Sequence, residues 1–564
     1  MKSGQAENGG SSGEKTRLVL LYVIHFAVAC LLATQMAPAV NESHYIPKAR
    51  HVWDSSFAPN DFFLQSHDSH YLASWLAGVP ATYLGFTTAT WLGRFTSWLL
   101  FAIAWVHLMR SVRMPALLSP IVFASWHLVV QYGHWSGEWA MGGFEAKSIA
   151  YPFILLGIAS VIRDRWRSAW IFLAIAVAWH PLAGGWAGMS VGIYWLCMPS
   201  LKTRIAQQWP AFLLAIAIGL IGVVPAALGL AGENLVGKVV ASQVHVYFRL
   251  PHHLCPQSFP PTRHIAAGLS LLGFVVATVV YYMTKSARPD QQSSSYPARL
   301  FWIASISVGF AMVGLAIDLL LSKQYPSTAS SLLRFYWFRW ADVAVPLAGV
   351  TLFWLWVTSD SATTWYKATP VIVVVGVASV IHLQSVAEKK IPAADKLVTE
   401  SVGPLPVASD RYLDWLAVCA WIKENTPTDS LWLTPKYQQS FKWHAQRAEV
   451  VCWKDVPQDN ASVHEWYRRI NDCEPRKTAS GQLRGWTEEE IVQLAEKYEF
   501  EWILLDRTVQ AKPVFEVCYP TFATSTSYID NRSFAVCRLR PAVRAGFLKS
   551  MPATKQALPQ RRDQ

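Results

Sequence analysis

Long apolar runs recur through the first two-thirds of this chain and then stop. A run of about 20 apolar residues is what a helix needs to cross the hydrocarbon core of a bilayer. Inside that core every backbone polar group must bond within its own segment, so such a chain is committed to a bundle of helices. The first run spans 17–37. Others fall near 91–109, 115–132, 149–162, 168–186, 187–200, 210–231, 265–284, 299–321, 343–358 and 369–384. About eleven crossings are predicted. From residue 409 the runs are gone, and the remainder reads as a soluble domain.

Composition agrees. Of 564 residues, 52% are hydrophobic, which is unusual for a soluble chain of this length. The net charge of +12 is concentrated in alternate turns. These carry Arg110 and Arg113; Arg163, Arg165 and Arg167; Lys202 and Arg204; and Lys285, Arg288 and Arg299. The positive-inside bias makes those turns cytoplasmic, so the charge is no sign of nucleic-acid binding. Lys2, Lys15 and Arg17 put the N-terminus on the same side, and an odd number of crossings then puts the soluble domain outside. The 28 Trp and 20 Tyr suit interfacial belts.

The domain boundaries follow from these patterns. Residues 1–16 are polar and Gly/Ser-rich and predict a disordered cytoplasmic tail; 17–384 form the transmembrane domain. A charged, Pro-containing linker covers 385–408, an α/β domain 409–540, and a basic disordered tail 541–564. The α/β assignment rests on helical periodicity over 410–425 and 462–470, with Ser462 as N-cap, and on short apolar strands at 430–434, 449–453 and 502–505. Thr487 and Glu490 have capping-box spacing ahead of the last strand. Eight Cys show no CxxC or Cys/His zinc spacing. The soluble domain holds five of them, which allows a disulfide, and the odd count leaves at least one thiol over.

The predicted outside loops are longer than the inside turns and hold more than half of the sixteen His. Ionisable residues gathered at one face of a membrane domain point to chemistry there. The first loop offers Asp54, Asp61 and Asp68, any of which is a candidate general base or oxygen ligand for a divalent cation. The next, GHWSGEWAMGGFEAKSIAY, carries Glu138, Glu145 and Lys147. If Glu145 is extended, it and Lys147 can touch. Arg249, His252 and His253 lie in FRLPHHL, where guanidinium and imidazole suit phosphate. Arg339 and Asp342 in RFYWFRWADV have the i,i+3 spacing of a helix pair. His180-Pro181, followed by Gly184-Gly185, predicts a break in a crossing. His spacing gives no metal site, and there is no nucleophile elbow, P-loop or dinucleotide glycine pattern.

This layout resembles the C-type (GT-C) glycosyltransferases: a cytoplasmic N-terminus, a long first outside loop bearing acids, about a dozen crossings and a terminal extracytoplasmic α/β domain. The resemblance implies a polyprenyl-phosphate-linked sugar as donor. It also implies a first-loop catalytic acid (Asp61, or Asp54 or Asp68), and Arg249 and Arg339 as phosphate binders. The first-loop acids are spread out, unlike the DxD or ExD of many members. More closely, GGFEAKSIAY, WHPLAGGW, FRLPHHL, RFYWFRWADV and VVCWKDVP are similar to a family of large membrane proteins of planctomycete-type bacteria, a family that brings no assigned activity. The resulting expectation is a glycosyltransferase of the bacterial cytoplasmic membrane acting on an extracytoplasmic glycan, lipid or protein. Its Glu138, Glu145, Lys147, His252, His253 and Asp342 would line the substrate site. The alternatives are a transporter or lipid flippase, which would need mid-bilayer charges and internal repeats, and a membrane scaffold whose soluble domain binds the cell envelope.

Overall fold

The computed structural model describes residues 8–199, 201–286, 296–360, 363–396, 407–477, 483–510, 514–520 and 531–550. Parts of the expected tails and linker (1–7, 397–406 and 551–564), with Lys2 and Arg288, lie outside them. Two compact units result. One comprises Met1–Gln35, Ser69–Ala73 and Trp91–Glu388; the other comprises Met36–Asp68, Ser74–Thr90 and Lys389–Gln564. The sequence reading divides the chain at 385–408, whereas here most of the first loop belongs with the C-terminal residues. Helix also reaches into both expected tails, at Asn8–Ala33 and Pro541–Ser550.

The first unit is helical. Six helices among the described residues are long and apolar enough to cross a membrane: Gly13–Ala33, Phe86–Ser111, Thr203–Leu230, Pro261–Thr284, Tyr296–Leu321 and Thr364–Ala387. Ala146–Ile162, Trp166–Trp179 and Ala341–Val357 are shorter apolar helices. Multiple helices of this kind mark a membrane protein. Large rings fill the space between them, with Trp98, Phe101, Trp105, Phe123 and Trp126 all buried and Trp105 stacked on Trp126 at 5.1 Å.

The run expected as 168–186 and 187–200 is instead divided at His180, giving Trp166–Trp179 and Pro181–Leu196. Pro181 has no amide hydrogen to continue the ladder, so it starts the second helix at its first position. His180 is extended and caps that helix: its Nδ1 accepts from the Ala183 amide at 3.1 Å. Of the two glycines, only Gly184 is needed for packing. A Cβ there would lie 2.3 Å from the Val177 nitrogen, while one at Gly185 meets nothing within 4 Å.

The second unit is built on a five-stranded sheet. Its strands are β1 (Leu431–Leu433), β2 (Ala448–Glu449), β3 (Trp502–Asp506), β4 (Glu516–Tyr519) and β5 (Phe534–Arg538). The order is β2-β1-β3-β5-β4, with β1 parallel to β2 and β3, and β5 antiparallel to β3 and β4. The Ala408–Asn425 helix buries Trp415, Val418, Cys419 and Ile422 with Trp432, Phe441 and Phe534. The capping box at Thr487 and Glu490 forms as its spacing predicts. The Asn460–Asp472 helix is capped by Asp459, which accepts from the Ser462 amide, rather than by Ser462. All eight cysteines are unpaired thiols.

Candidate active site in the helical unit

Glu138 lies in the loop between the Ser119–Gly133 and Ala146–Ile162 helices, and it is 3% exposed. A buried carboxylate needs a countercharge and donors, and it has both. Arg339 forms an ion pair with it, Nε lying 2.8 Å from Oε2. Lys147 Nζ lies 3.1 Å from Oε1, and the Tyr151 hydroxyl donates to the same oxygen at 3.0 Å. Lys147 is also 3.1 Å from Glu145 and sits over the Trp139 ring at 4.1 Å. Glu145 is extended, as contact with Lys147 requires, and caps the Ala146–Ile162 helix in a capping box with Ser148. Two acids, two cations and a phenol thus form one buried group.

Asp342 holds the loop that presents Glu138. Its Oδ1 accepts from the Trp135 amide at 2.7 Å, and its Oδ2 accepts from the Ser136 amide at 2.9 Å and hydroxyl at 2.7 Å. Arg339 and Asp342 therefore do not pair with each other as their spacing suggests. One takes the Glu138 side chain and the other the loop backbone. The loop turns at Gly137, whose φ is +84° and whose absent Cβ leaves room for His253 at 2.8 Å. His253 Nδ1 meets the Ser136 carbonyl at 2.5 Å. Burial, then the neighbouring His252, push its pKa down to about 2, so it is a neutral brace for the loop. The His252 ring lies 4.2 Å from that of His253, and its carbonyl accepts from Arg263 at 2.6 Å. Arg249 is buried at the end of the Val244–Arg249 helix, with its charge near Tyr336.

Arg339 makes two further contacts. Its guanidinium lies over the Tyr336 ring at 4.1 Å, and its Nη1 is 3.3 Å from His180 Nε2. Burial opposes its charge, but Glu138 outweighs that and holds the pKa above the ordinary guanidinium value. The His180 ring lies 4.8 Å from that of His70. Glu138, Glu145, Lys147 and Arg339 are thus brought together, with Asp342 and His253 behind them. Tyr151, Tyr336 and His180 are additions that sequence reasoning did not place here. Tyr151 reads as one more aromatic in an apolar run, and His180 as a kink.

Asp54, Asp61 and Asp68 belong to the other unit. Asp54 holds Ser56 and Arg50 at the end of the Glu42–Trp53 helix. Asp61 is 0% exposed. Its Oδ1 accepts from the Leu64 amide at 2.9 Å, and its Oδ2 accepts from the Glu449 amide at 3.0 Å and lies 3.4 Å from Lys442 Nζ. Lys442 also pairs with Glu449 at 2.5 Å and with Asp455, which takes His44 at 2.7 Å. Here Glu449, Cys452 and Asp455 have the mutual spacing of metal ligands. The Lys442 ammonium is already among them, and a second cation beside it would be repelled. These residues do not fit a divalent ion.

Residues 413–473 match a family model described as "Domain of unknown function (DUF6798)". No curated protein is significantly similar to the chain. Among solved structures it is similar to the Archaeoglobus fulgidus oligosaccharyltransferase tethered through a disulfide bond to an acceptor peptide containing the NVT sequon. That match has TM-score 0.41 and 10% identity, covering 88% of this chain and 70% of the other. The apo form of the same enzyme gives 0.42 and 9%, covering 87% and 69%.

Proposed function

We propose that this chain is an integral membrane glycosyltransferase that moves a sugar from a polyprenyl-phosphate-linked donor to an acceptor on the outer face of the cytoplasmic membrane. The observation that carries the reading is the buried Glu138–Arg339–Lys147 group. Without substrate, the two carboxylates, Glu138 and Glu145, and the two cations neutralise one another. A donor phosphate supplies its own negative charge. As Arg339 and Lys147 turn to it, Glu138 is released to accept the proton of the acceptor hydroxyl. The acceptor oxygen then bonds to the anomeric carbon while the bond from that carbon to the phosphate oxygen breaks. Arg339 and Lys147 stabilise the charge left on the lipid phosphate. Glu145 holds Lys147, Asp342 and His253 hold the loop, and Arg249 and His252 border the phosphate side. The base is thereby moved from Asp61, whose two oxygens are both bonded inside the other unit, to Glu138. Asp54 and Asp68 take no step in this scheme.

The test is transfer from radiolabelled lipid-linked sugars in membranes carrying Glu138→Gln or Arg339→Ala. Each should lower the rate by about 10²–10³-fold while the protein stays inserted. Wild-type rates in both variants would remove the assigned roles. Passage of an intact labelled lipid across a liposome, without sugar release, would point to the flippase reading instead.

A further inference from the structure

We propose that His180 and Arg339 form an oxyanion seat for a phosphoryl group, at the start of the Pro181–Leu196 helix. This deepens the proposed function by naming the ligand chemistry of the same group of residues, and it rests on a separate observation. A neutral imidazole has one N–H and one lone pair. His180 meets two neighbours that can only donate: the Ala183 amide, 3.1 Å from Nδ1, and Arg339 Nη1, 3.3 Å from Nε2. One lone pair serves one of them. The Ala183 contact is the cap of a 16-residue helix, so Nδ1 carries the lone pair and Nε2 the hydrogen. That hydrogen then faces the hydrogens of the guanidinium. The opposite tautomer moves the clash to the cap, and protonation of the ring sets hydrogens against both neighbours. No state of His180 satisfies both contacts.

His180 is 7% exposed, so bulk water offers little relief. Two buried donors facing each other need an acceptor between or beside them. An anionic oxygen at that place takes a hydrogen from each. The adjoining helix N-terminus favours negative charge there. The choice of a phosphoryl group comes from the cations. Arg339 faces His180 with one edge and Glu138 with another, and Lys147 touches the same carboxylate. A tetrahedral group can place one oxygen at the seat and turn others toward Lys147, with the guanidinium giving the geometry phosphate prefers. The shared chemistry is a phosphoryl group, carried as an ester by a lipid headgroup or present as free phosphate.

Binding is measured by calorimetry on the full chain in nanodiscs, with long-chain polyprenyl phosphate, the corresponding polyprenol and inorganic phosphate as probes. His180→Asn is the diagnostic variant, since its side-chain oxygen can still cap Ala183 while nothing reaches the Nε2 position. Polyprenyl phosphate should bind at least about tenfold tighter than polyprenol, and His180→Asn should remove at least about tenfold of that affinity, as loss of one charge-assisted hydrogen bond implies. Binding by the lipid alone assigns the seat to a headgroup, and binding by inorganic phosphate as well assigns it to phosphate of either source. Equal binding of phosphate and alcohol, or unchanged affinity in His180→Asn, overturns the proposal. A second readout needs no variant: in ¹⁵N-histidine-labelled wild-type protein, phosphate should shift one imidazole N–H resonance, and no shift at saturation also overturns it. Failure here is distinguishable from failure of the proposed function. Normal sugar transfer by His180→Asn removes the seat and leaves the enzyme. Phosphate held at the seat by a wild type that transfers nothing removes the enzyme and leaves the seat.

Discussion

Each unit buries a knot of acids and cations, and the two knots differ in how they are satisfied. In the sheet unit Lys442 is surrounded by Asp61, Glu449 and Asp455. The remaining oxygens find donors close by: the Leu64 and Glu449 amides, the Thr434 hydroxyl and His44. In the helical unit Glu138 is equally well supplied, but its partner Arg339 and the Ala183 amide both turn to His180, whose neutral ring has one lone pair for the two. The first knot is closed, and the second has a contact that only something added can satisfy. A perturbed cluster is commonly taken as a sign of function. The comparison shows that satisfaction, rather than the number of buried charges, separates a staple from a site.

The largest effect that would break this contrast is expected at Lys442. Lys442→Met strands three buried carboxylates and should cost about 3–5 kcal/mol. Limited proteolysis should then cut the sheet unit preferentially, and adding Glu449→Gln should recover part of the loss. Unchanged protease resistance in Lys442→Met would mean that the knot is no staple.

A smaller effect is set by pH. Burial, working against the help of Asp455, pushes the His44 pKa down to about 4. Because the unfolded chain takes up the proton near 6.5, the contribution of His44 is full above that value and is lost as pH falls toward 4, by on the order of 3 kcal/mol at most. Glu449 opposes it. Burial raises its pKa, against the pull of Lys442, so stability associated with it falls as pH rises above its ordinary value of 4.5. The two slopes partly cancel in the wild type. His44→Gln should uncover the Glu449 slope, giving a sheet unit that becomes more stable as pH drops from 7 to 5 in chemical denaturation. A profile unchanged from wild type would show that His44 does not titrate as its burial implies.

The smallest effect sharpens the helical side. Ser136→Ala removes one hydroxyl bond to Asp342 and leaves the amides in place, so about 1 kcal/mol of stability is at stake. Any larger loss should appear in transfer rate, because the loop it loosens carries Glu138.

Much of the helical site is visible in sequence because charges next to apolar runs are expensive and therefore conspicuous. Glu138, Glu145, Lys147 and Arg339 stand out on that ground alone. Their pairing is less visible. Arg339 and Asp342 have the spacing of a helix pair, yet loop amides compete for Asp342 and win. The surroundings of the first-loop acids are hidden for a different reason. Asp61 and Glu449 are 388 residues apart in the chain, and nothing near Asp61 announces a partner so distant. The same remoteness hides the membership of 36–68 and 74–90 in the sheet unit. Within that unit, short-range signals such as the Thr487 capping box are read correctly because their chemistry is local.

The discontinuous make-up of the sheet unit bears on how the protein is born. Residues 36–68 leave the ribosome well before the strands they join, Asp61 being 388 residues ahead of its partner Glu449. At about 5–20 residues per second, this is an interval on the order of 20–80 s. For that time Asp61 and His44 have neither Lys442 nor Asp455, and five of the six membrane-length helices are being made in the same period. The early segment must therefore wait as a hydrated, unpaired strip, and the last step of maturation is its capture by a domain synthesised at the other end of the chain.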